Sequence, residues 1–298
     1  MDRARDGIPA LTQDDSGEEL IDLHLHSTAS DGSVAPAGVV QRARAANLQA
    51  VALTDHDTLA GLPEALAAGE RYGVRVIAGC EFSAAAPWGE MHVLGYYLPA
   101  RSENLDRFLE RCRADRIRRA EEMVRRLHRL GIDVQFETVL QESAGGAVGR
   151  PHVARAIVRH GGATDSGDAF DRFIGRGKPA FVEKSLPTFK AVADVVHAAG
   201  GVVSVAHLKE HGTRTVLERL KAEGLDAVET RHPSHDPDLR SRLTDLALHL
   251  SLLRTGGSDW HGDSEPGCHA TIGSQRVPRE WLDRMDEFRE NSVRAAAS

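Results

Sequence analysis

Short apolar runs, each with a His, Asp or Glu at or beside one end, recur along this chain and restrict its fold more than any other feature. Ile21-Asp22-Leu23-His24-Leu25-His26 is the first. Ala50-Val51-Ala52-Leu53 leads into Thr54-Asp55-His56-Asp57, Val74-Arg75-Val76-Ile77 into Gly79-Cys80-Glu81, and Val202-Val203-Ser204-Val205-Ala206 into His207. Leu252 and Leu253 precede the Asp259-Trp260-His261 triplet. The runs are strand-sized. Between them, Val39, Val40 and Ala43 within Pro36–Ala46, and Leu62, Leu66 and Tyr72 before Gly73, fall at helical spacing with a glycine stop after the second set. Strand, helix, strand implies parallel βα units. The expected fold class is therefore α/β, and in such barrels the working groups sit at the carboxyl ends of the strands. His92 is the exception. In Glu90-Met91-His92 it precedes its run, Val93-Leu94-Gly95-Tyr96, so it has to reach the centre from a hairpin or an irregular turn.

Residues two apart in a strand share a face, so His24 and His26 can aim two imidazoles at one ion. Asp31, in the Ser-Thr-Ala-Ser-Asp-Gly loop, is placed to fold back to the same point. The candidate metal ligands are His24, His26, Asp31, His56, Glu81, His92, His207, Asp259 and His261. A set of imidazoles and carboxylates without a thiolate suits Mn, Fe or Zn and argues against a Cys-rich structural zinc site. Cys80 reads as strand packing.

With 298 residues the chain can bury a large core. Its net charge of −7 offers no basic face for duplex nucleic acid. Three separated cysteines, Cys80, Cys112 and Cys268, argue against a disulfide framework and for a reducing, cytoplasmic setting. Residues 1–19 read as a flexible leader without the apolar segment of a signal peptide, and no stretch has transmembrane length.

From 101 to about 184 the rhythm changes. Leu105, Phe108, Leu109, Cys112, Ile117, Ala120, Met123, Val124, Leu127 and Leu130 imply one or two long amphipathic helices ending near Gly131. We therefore expect an inserted helical subdomain at 101–184 within a barrel formed by 20–100 and 185–290. The arginine excess of the long helix fits a solvated face with i,i+4 pairs better than a phosphate-binding surface. Two other motifs are stronger candidates for anion contact. Gly149-Arg150-Pro151-His152 opens a helix, gathering free N–H groups, Arg150 and His152 at its N-terminus. Gly175-Arg176-Gly177-Lys178-Pro179 places Lys178 in a loop with reach.

These motifs, in this order, resemble those of the PHP (polymerase and histidinol phosphatase) family: H-x-H with Asp31, T-D-H-D at 54–57, G-C-E at 79–81, E-M-H at 90–92, A-H at 206–207 and G-S-D-W-H at 257–261. The G-R-P-H and G-K-P-A-F segments and E-T-R-H-P-S-H at 229–235 further resemble the branch containing 3′,5′-nucleoside bisphosphate phosphatases and the 5′-to-3′ exoribonuclease RNase AM. The resemblance implies a distorted seven-stranded (βα) TIM-like barrel with a helical insertion. It also implies two or three divalent metals, commonly Mn, that activate a hydroxide nucleophile. The implied substrate is a small phosphorylated nucleotide, most specifically the 3′-phosphate of a nucleoside 3′,5′-bisphosphate, with short 5′-phosphorylated RNA ends as a second class. Arg150, His152, Lys178, Arg231 and His235 are the candidate substrate contacts, and His235, His152 or Asp57 the candidate general acid. Where many relatives continue A-H with Pro and an aromatic residue, this chain reads Ala206-His207-Leu208-Lys209-Glu210-His211, which leaves the pocket rim open. Three alternatives remain. A histidinol phosphatase is disfavoured by the G-R-P-H segment, an amidohydrolase by the absence of a bridging lysine where Glu81 stands, and a non-catalytic binding module by the completeness of the ligand set.

Overall fold

The computed structural model describes residues 19–262 and 271–297. Most of the leader and Cys268 lie outside that range. The strands are β1 (Leu20–Leu25), β2 (Ala50–Leu53), β3 (Arg75–Ala86), β4 (Gly89–Tyr96), β5 (Val202–Val205), β6 (Ala227–Arg231), β7 (Leu253–Gly256) and the short β8 (Val277–Pro278). They form one sheet in which β1 to β7 neighbour one another in chain order and β8 pairs antiparallel with β1. Beyond β7 the chain returns to β1, where Asp259 N–H donates to the His24 carbonyl (2.9 Å) and His26 N–H to that of Trp260 (3.0 Å). These bonds nearly close a seven-stranded barrel. The approach is tight enough that a Cβ on Gly257 would lie 2.4 Å from the His24 backbone nitrogen.

All pairs from β1 to β7 are parallel except those of β4, which runs antiparallel to both β3 and β5. The cause is a two-residue turn, Pro87-Trp88, that folds β4 directly back on β3 with Ala86 paired to Gly89. Reversal puts the amino end of β4 on the face where the other strands present their carboxyl ends. His92 reaches the centre by that hairpin.

Helices α1 (Pro36–Ala45) and α2 (Leu62–Tyr72) cover β1 and β2, burying Val39, Val40, Ala43 and Leu62 against Leu25, Val51 and Leu53. Each has proline in its first turn, and α2 stops at Gly73 in the left-handed conformation (φ +66°), as the spacing implied. Helices α7 (Phe189–Ala198), α8 (Arg214–Ala222) and α9 (Pro237–His249) cover β3 to β6, and α10 (Arg279–Ala297) contributes Trp281, Leu282 and Met285 to a cluster with Ile21, Leu94 and Val202. None of the helices among the described residues is long and apolar enough to cross a membrane.

Between β4 and α7 lie α3 (Glu103–Arg129), α4 (Phe136–Glu142), α5 (Arg150–Arg159) and the short α6 (Ser166–Ala169), followed by a π-helical turn at Phe170–Ile174. Their apolar faces make a separate cluster, with Met123, Val124 and Leu127 against Val153, Ile157 and Ile174. The long helix is single and ends where Gly131 takes φ +80°. Arg107, Arg118, Arg125 and Arg126 pair with acids three or four residues away on its exposed face. Arg116 and Arg119 instead turn inward and are buried.

Candidate active site

Glu81 lies in the interior of β3, almost wholly buried, and five imidazoles surround its carboxylate. Oε2 is 3.2 Å from His24 Nε2, 3.1 Å from His26 Nε2 and 3.3 Å from His56 Nδ1. Oε1 is 2.8 Å from His92 Nδ1 and 3.1 Å from His207 Nε2. Asp259 Oδ1 caps the other side, 3.3 Å from His24 Nε2 and 3.2 Å from His26 Nε2. Asp31 Oδ1 is 3.3 Å from His261 Nε2, and Asp31 Oδ2 lies 3.8 Å from His56 Nε2. All nine residues singled out by the sequence thus belong to one contiguous group, contributed by six strands, β1 to β5 and β7, and the loops after them.

Local structure aims them. Asp55 accepts hydrogen bonds from the Ser27 backbone (2.8 Å), the Ser27 hydroxyl (2.7 Å) and the Ser30 hydroxyl (2.6 Å), which folds the loop carrying Asp31 inward. Three residues after strand ends, Asp57, His207 and Asp259, hold φ of +52°, +25° and +50°. Non-glycine residues adopt that region at an energetic cost, and the surrounding packing has to enforce it.

Two further residues join the site that spacing did not single out. Glu229 accepts from His24 Nδ1 (2.9 Å) and from the His207 backbone N–H (2.8 Å), which orients one imidazole and positions another. His232 Nε2 stands 3.2 Å from Asp259 Oδ2. Both lie in the E-T-R-H-P-S-H stretch, whose resemblance was the available signal.

The group is built to hold cations. His24 Nε2, both ring nitrogens of His26, His56 Nδ1, Asp31 Oδ1 and Glu81 Oε2 are buried without a hydrogen-bond partner. Buried polar atoms are otherwise satisfied almost everywhere in proteins, so lone pairs that converge without donors suit shared divalent ions. Two sets are compact enough to surround an ion, His24, His26, Glu81 and Asp259, and His26, Asp31, His56 and His261. Glu81, His56 and His92 form a third, and His24, Glu229 and His232 a fourth, among the described residues.

Charge coupling within the metal-free group is strong. Burial opposes protonation of His92 and His261, yet Glu81 and Glu90 carry His92 up to about 9, and Asp31 and Asp259 carry His261 up to about 10. Burial alone would raise Glu81, but His56, His92 and His24 hold it well below the carboxylate range. The stabilisation from a raised histidine is complete below its ordinary value near 6.5 and is lost as pH rises through its folded value. The metal-free protein is therefore expected to lose thermal stability as pH rises from about 6.5 to about 10. Divalent ions compete with those same protons, so the Tm increase they produce should grow over that interval. Unfolding scans with chelator and with added metal, below and above the interval, check this. A metal-induced increase independent of pH would contradict it.

The remaining sequence candidates divide. Asp57 is held by Arg116 of α3, with Oδ2 2.7 Å from Nε and 2.6 Å from a terminal nitrogen. His152, pushed down to about 4 by burial and by Arg155, turns its Nδ1 back to accept the Gly149 N–H at 2.8 Å, so the helix start is partly capped by its own side chain. His235 is likewise pushed down to about 4, chiefly by burial; its Nδ1 stands 3.3 Å from the Thr230 carbonyl and its Nε2 accepts from Lys209 N–H at 3.4 Å. Arg231 directs its guanidinium over Trp281 (5.2 Å to the ring centre) and to the Arg276 carbonyl. Lys178 is exposed on its loop.

Beside the group lies a cavity of about 310 Å³ whose lining includes Trp88, Glu90, Arg119, Arg150, Arg176 and Lys184. Glu90 connects the two spaces, its Oε1 3.2 Å from His92 Nε2 and paired with the Lys184 ammonium. Lys184 Nζ also donates to Ser83 Oγ at 2.9 Å. Arg150 stacks near Phe170 and Phe181 (5.5 and 5.7 Å), and Arg119 donates to the Val182 carbonyl. Burial and the charge of Arg150 push Arg119 down to about 10.

The profile of the PHP domain matches residues 22–226. This chain belongs to the PHP family. A 5′-3′ exoribonuclease of Haemophilus influenzae is 34% identical over 245 residues, covering 80% of this chain and 89% of the relative. A 3′,5′-nucleoside bisphosphate phosphatase of Chromobacterium violaceum is 32% identical, covering 83% and 89%. A Bifidobacterium adolescentis structure described as a metal-dependent phosphoesterase superposes with a TM-score of 0.82 at 32% identity, covering 90% of this chain and 95% of that one. The protein is accordingly a metal-dependent phosphoesterase with the PHP barrel.

Proposed function

We propose that this PHP enzyme hydrolyses the 3′-phosphate of nucleoside 3′,5′-bisphosphates to give 5′-monophosphates, with stepwise cleavage of short 5′-phosphorylated oligonucleotides as a slower second activity. The observation that carries the reading is the pairing of two adjoining spaces, the nine-residue group, which would draw a phosphate once divalent ions occupy it, and the arginine-lined cavity joined to it through Glu90. A molecule with two phosphates fills both. The Chromobacterium violaceum bisphosphate phosphatase and the Haemophilus influenzae exoribonuclease bracket the same substrate class. The accompanying domain division, an insertion at 101–184 in a barrel formed by 20–100 and 185–290, rests on the separate apolar cluster of α3 to α5.

Divalent ions, two or three of Mn, Fe or Zn type, would be held by His24, His26, Asp31, His56, Glu81, His92, His207, Asp259 and His261. Such ions neutralise charge at phosphorus and lower the pKa of water from about 15.7 toward about 7. The rest falls to side chains. Arg119, Arg150 and Arg176 receive the phosphate that is not cleaved, by charge-assisted hydrogen bonds. Lys184 takes the neutralising role expected of Lys178, because it is the partly buried lysine that reaches Glu90 and Ser83. Burial and Arg116 lower its pKa, which also suits it to give a proton to the departing oxygen. Asp57, His152 and His235 act as positioning groups, since each already has a partner within the protein.

With manganese added, a competition among a nucleoside 3′,5′-bisphosphate, a nucleoside 3′-monophosphate and histidinol phosphate should favour the bisphosphate. Arg150→Ala and Lys184→Ala should each lower kcat/KM for it by about tenfold to hundredfold, the worth of a hydrogen bond to a charged group. The loss on p-nitrophenyl phosphate, which lacks the second phosphate, should be smaller, and Lys178→Ala should stay near wild type. A preference for histidinol phosphate, or for nucleotides lacking the 5′-phosphate, would overturn the reading.

A further inference from the structure

Two phosphate-binding spaces account for the charged ends of a nucleotide but not for its ring. The rim supplies a candidate. Trp88, at the tip of the β3–β4 hairpin, stacks on His211 with ring centres 4.2 Å apart and planes only 6° from parallel. His211 ends the 3₁₀ turn Lys209–His211, in the stretch where this sequence departs from the Pro-aromatic pattern of many relatives. That turn is held by residues in the left-handed region, His207 at φ +25° and Lys209 at φ +51°. Such conformations persist only where the surroundings enforce them, and they cluster at ligand clamps. The hairpin backbone beneath the indole is held as well: Arg176 donates to the Trp88 carbonyl (2.9 Å) and packs over Gly89, where any Cβ would lie 2.4 Å from the guanidinium. Trp88 is among the residues lining the cationic cavity, whereas His211, which stacks on it, is not. The indole is thus a plane fixed in orientation, backed by an imidazole and standing in the wall of the space that holds Arg150 and Lys184.

We propose that Trp88, supported by His211, is the platform on which the substrate's nucleobase stacks, so that the enzyme selects phosphate esters carrying a planar ring over those with a bare sugar. The inference rests on the nucleotide reading above and goes beyond it by naming the residue that recognises the base. Stacking on a side chain tolerates every base, because each has a π-face, and its loss is worth roughly tenfold to hundredfold in binding. Discrimination among bases should therefore be weak and discrimination against a missing base strong.

The test compares adenosine 3′,5′-bisphosphate with ribose 3,5-bisphosphate on metal-loaded wild type, Trp88→Ala, Trp88→Phe and His211→Ala. Trp88→Ala should reduce kcat/KM for the nucleotide by about tenfold to hundredfold more than it does for the base-free substrate, mostly through KM. Trp88→Phe should recover most of the loss, and His211→Ala should show a smaller loss of the same selectivity. Equal losses on both substrates would overturn the proposal, and so would no loss on either. Binding provides a readout independent of turnover: adenosine 5′-monophosphate should quench the tryptophan fluorescence of wild type more than ribose 5-phosphate does, and the difference should vanish in Trp88→Phe. If the wild type cleaves no bisphosphate, the substrate reading falls while this quenching still decides for or against the platform. Quenching that persists in Trp88→Phe would reject it.

Discussion

Replacing Glu81 by Gln is expected to reduce turnover by at least about a thousandfold, equivalent to roughly 4 kcal/mol of transition-state stabilisation. The expectation follows from position. Glu81 is the one residue of the group whose two carboxylate oxygens are shared among five imidazoles, Oε2 among His24, His26 and His56 and Oε1 between His92 and His207. A neutral amide of the same shape keeps the space filled but removes the charge that a shared cation needs. Metal content by elemental analysis should fall with activity, while far-UV circular dichroism stays as in wild type, because the barrel is held by ladders and by the clusters around it rather than by this side chain. A variant that keeps its metal and more than a tenth of its turnover would show that Glu81 is not the centre of the site.

Arg116→Ala should destabilise the fold by about 3–5 kcal/mol. Arg116 reaches from α3 to Asp57, both are buried, and the arginine also contacts the Val148 carbonyl at 3.4 Å. Truncation leaves the Asp57 carboxylate buried without its partner, which is costlier than losing the pair altogether. The double variant Arg116→Ala/Asp57→Asn should therefore unfold at a higher temperature than Arg116→Ala alone, with the single change lowering Tm by roughly 10 °C. Equal melting temperatures would mean that packing of the arginine stem, not charge, is what the site uses. Since Asp57 follows His56 directly, the single variant should also bind metal less tightly, as read by titration with manganese.

What this sequence determined by itself was local. Strand ends could be found because apolar runs of a few residues stop at polar ones, and His24 and His26 share a face because side chains in a strand repeat every two residues. The limits of α2 and α3 were legible in Gly73 and Gly131, which take the left-handed conformation that other residues avoid. The types of the nine clustered residues restricted the chemistry before any geometry was known. Tertiary structure alone decided which neighbours those residues would have. Nothing local distinguishes Lys184 from Lys178, yet one is partly buried and bonded to Ser83, 101 positions away in the chain, and the other is exposed. Asp57 looked free to give a proton until α3 brought Arg116 across 59 positions to hold it. Glu229 orients His24 from 205 positions away because closure of the barrel makes β6 and β1 face each other across its interior. The physical reason is the same in each case: backbone propensity and side-chain periodicity act over a few residues, whereas burial, charge pairing and access to solvent depend on which distant segments the packed core forces together.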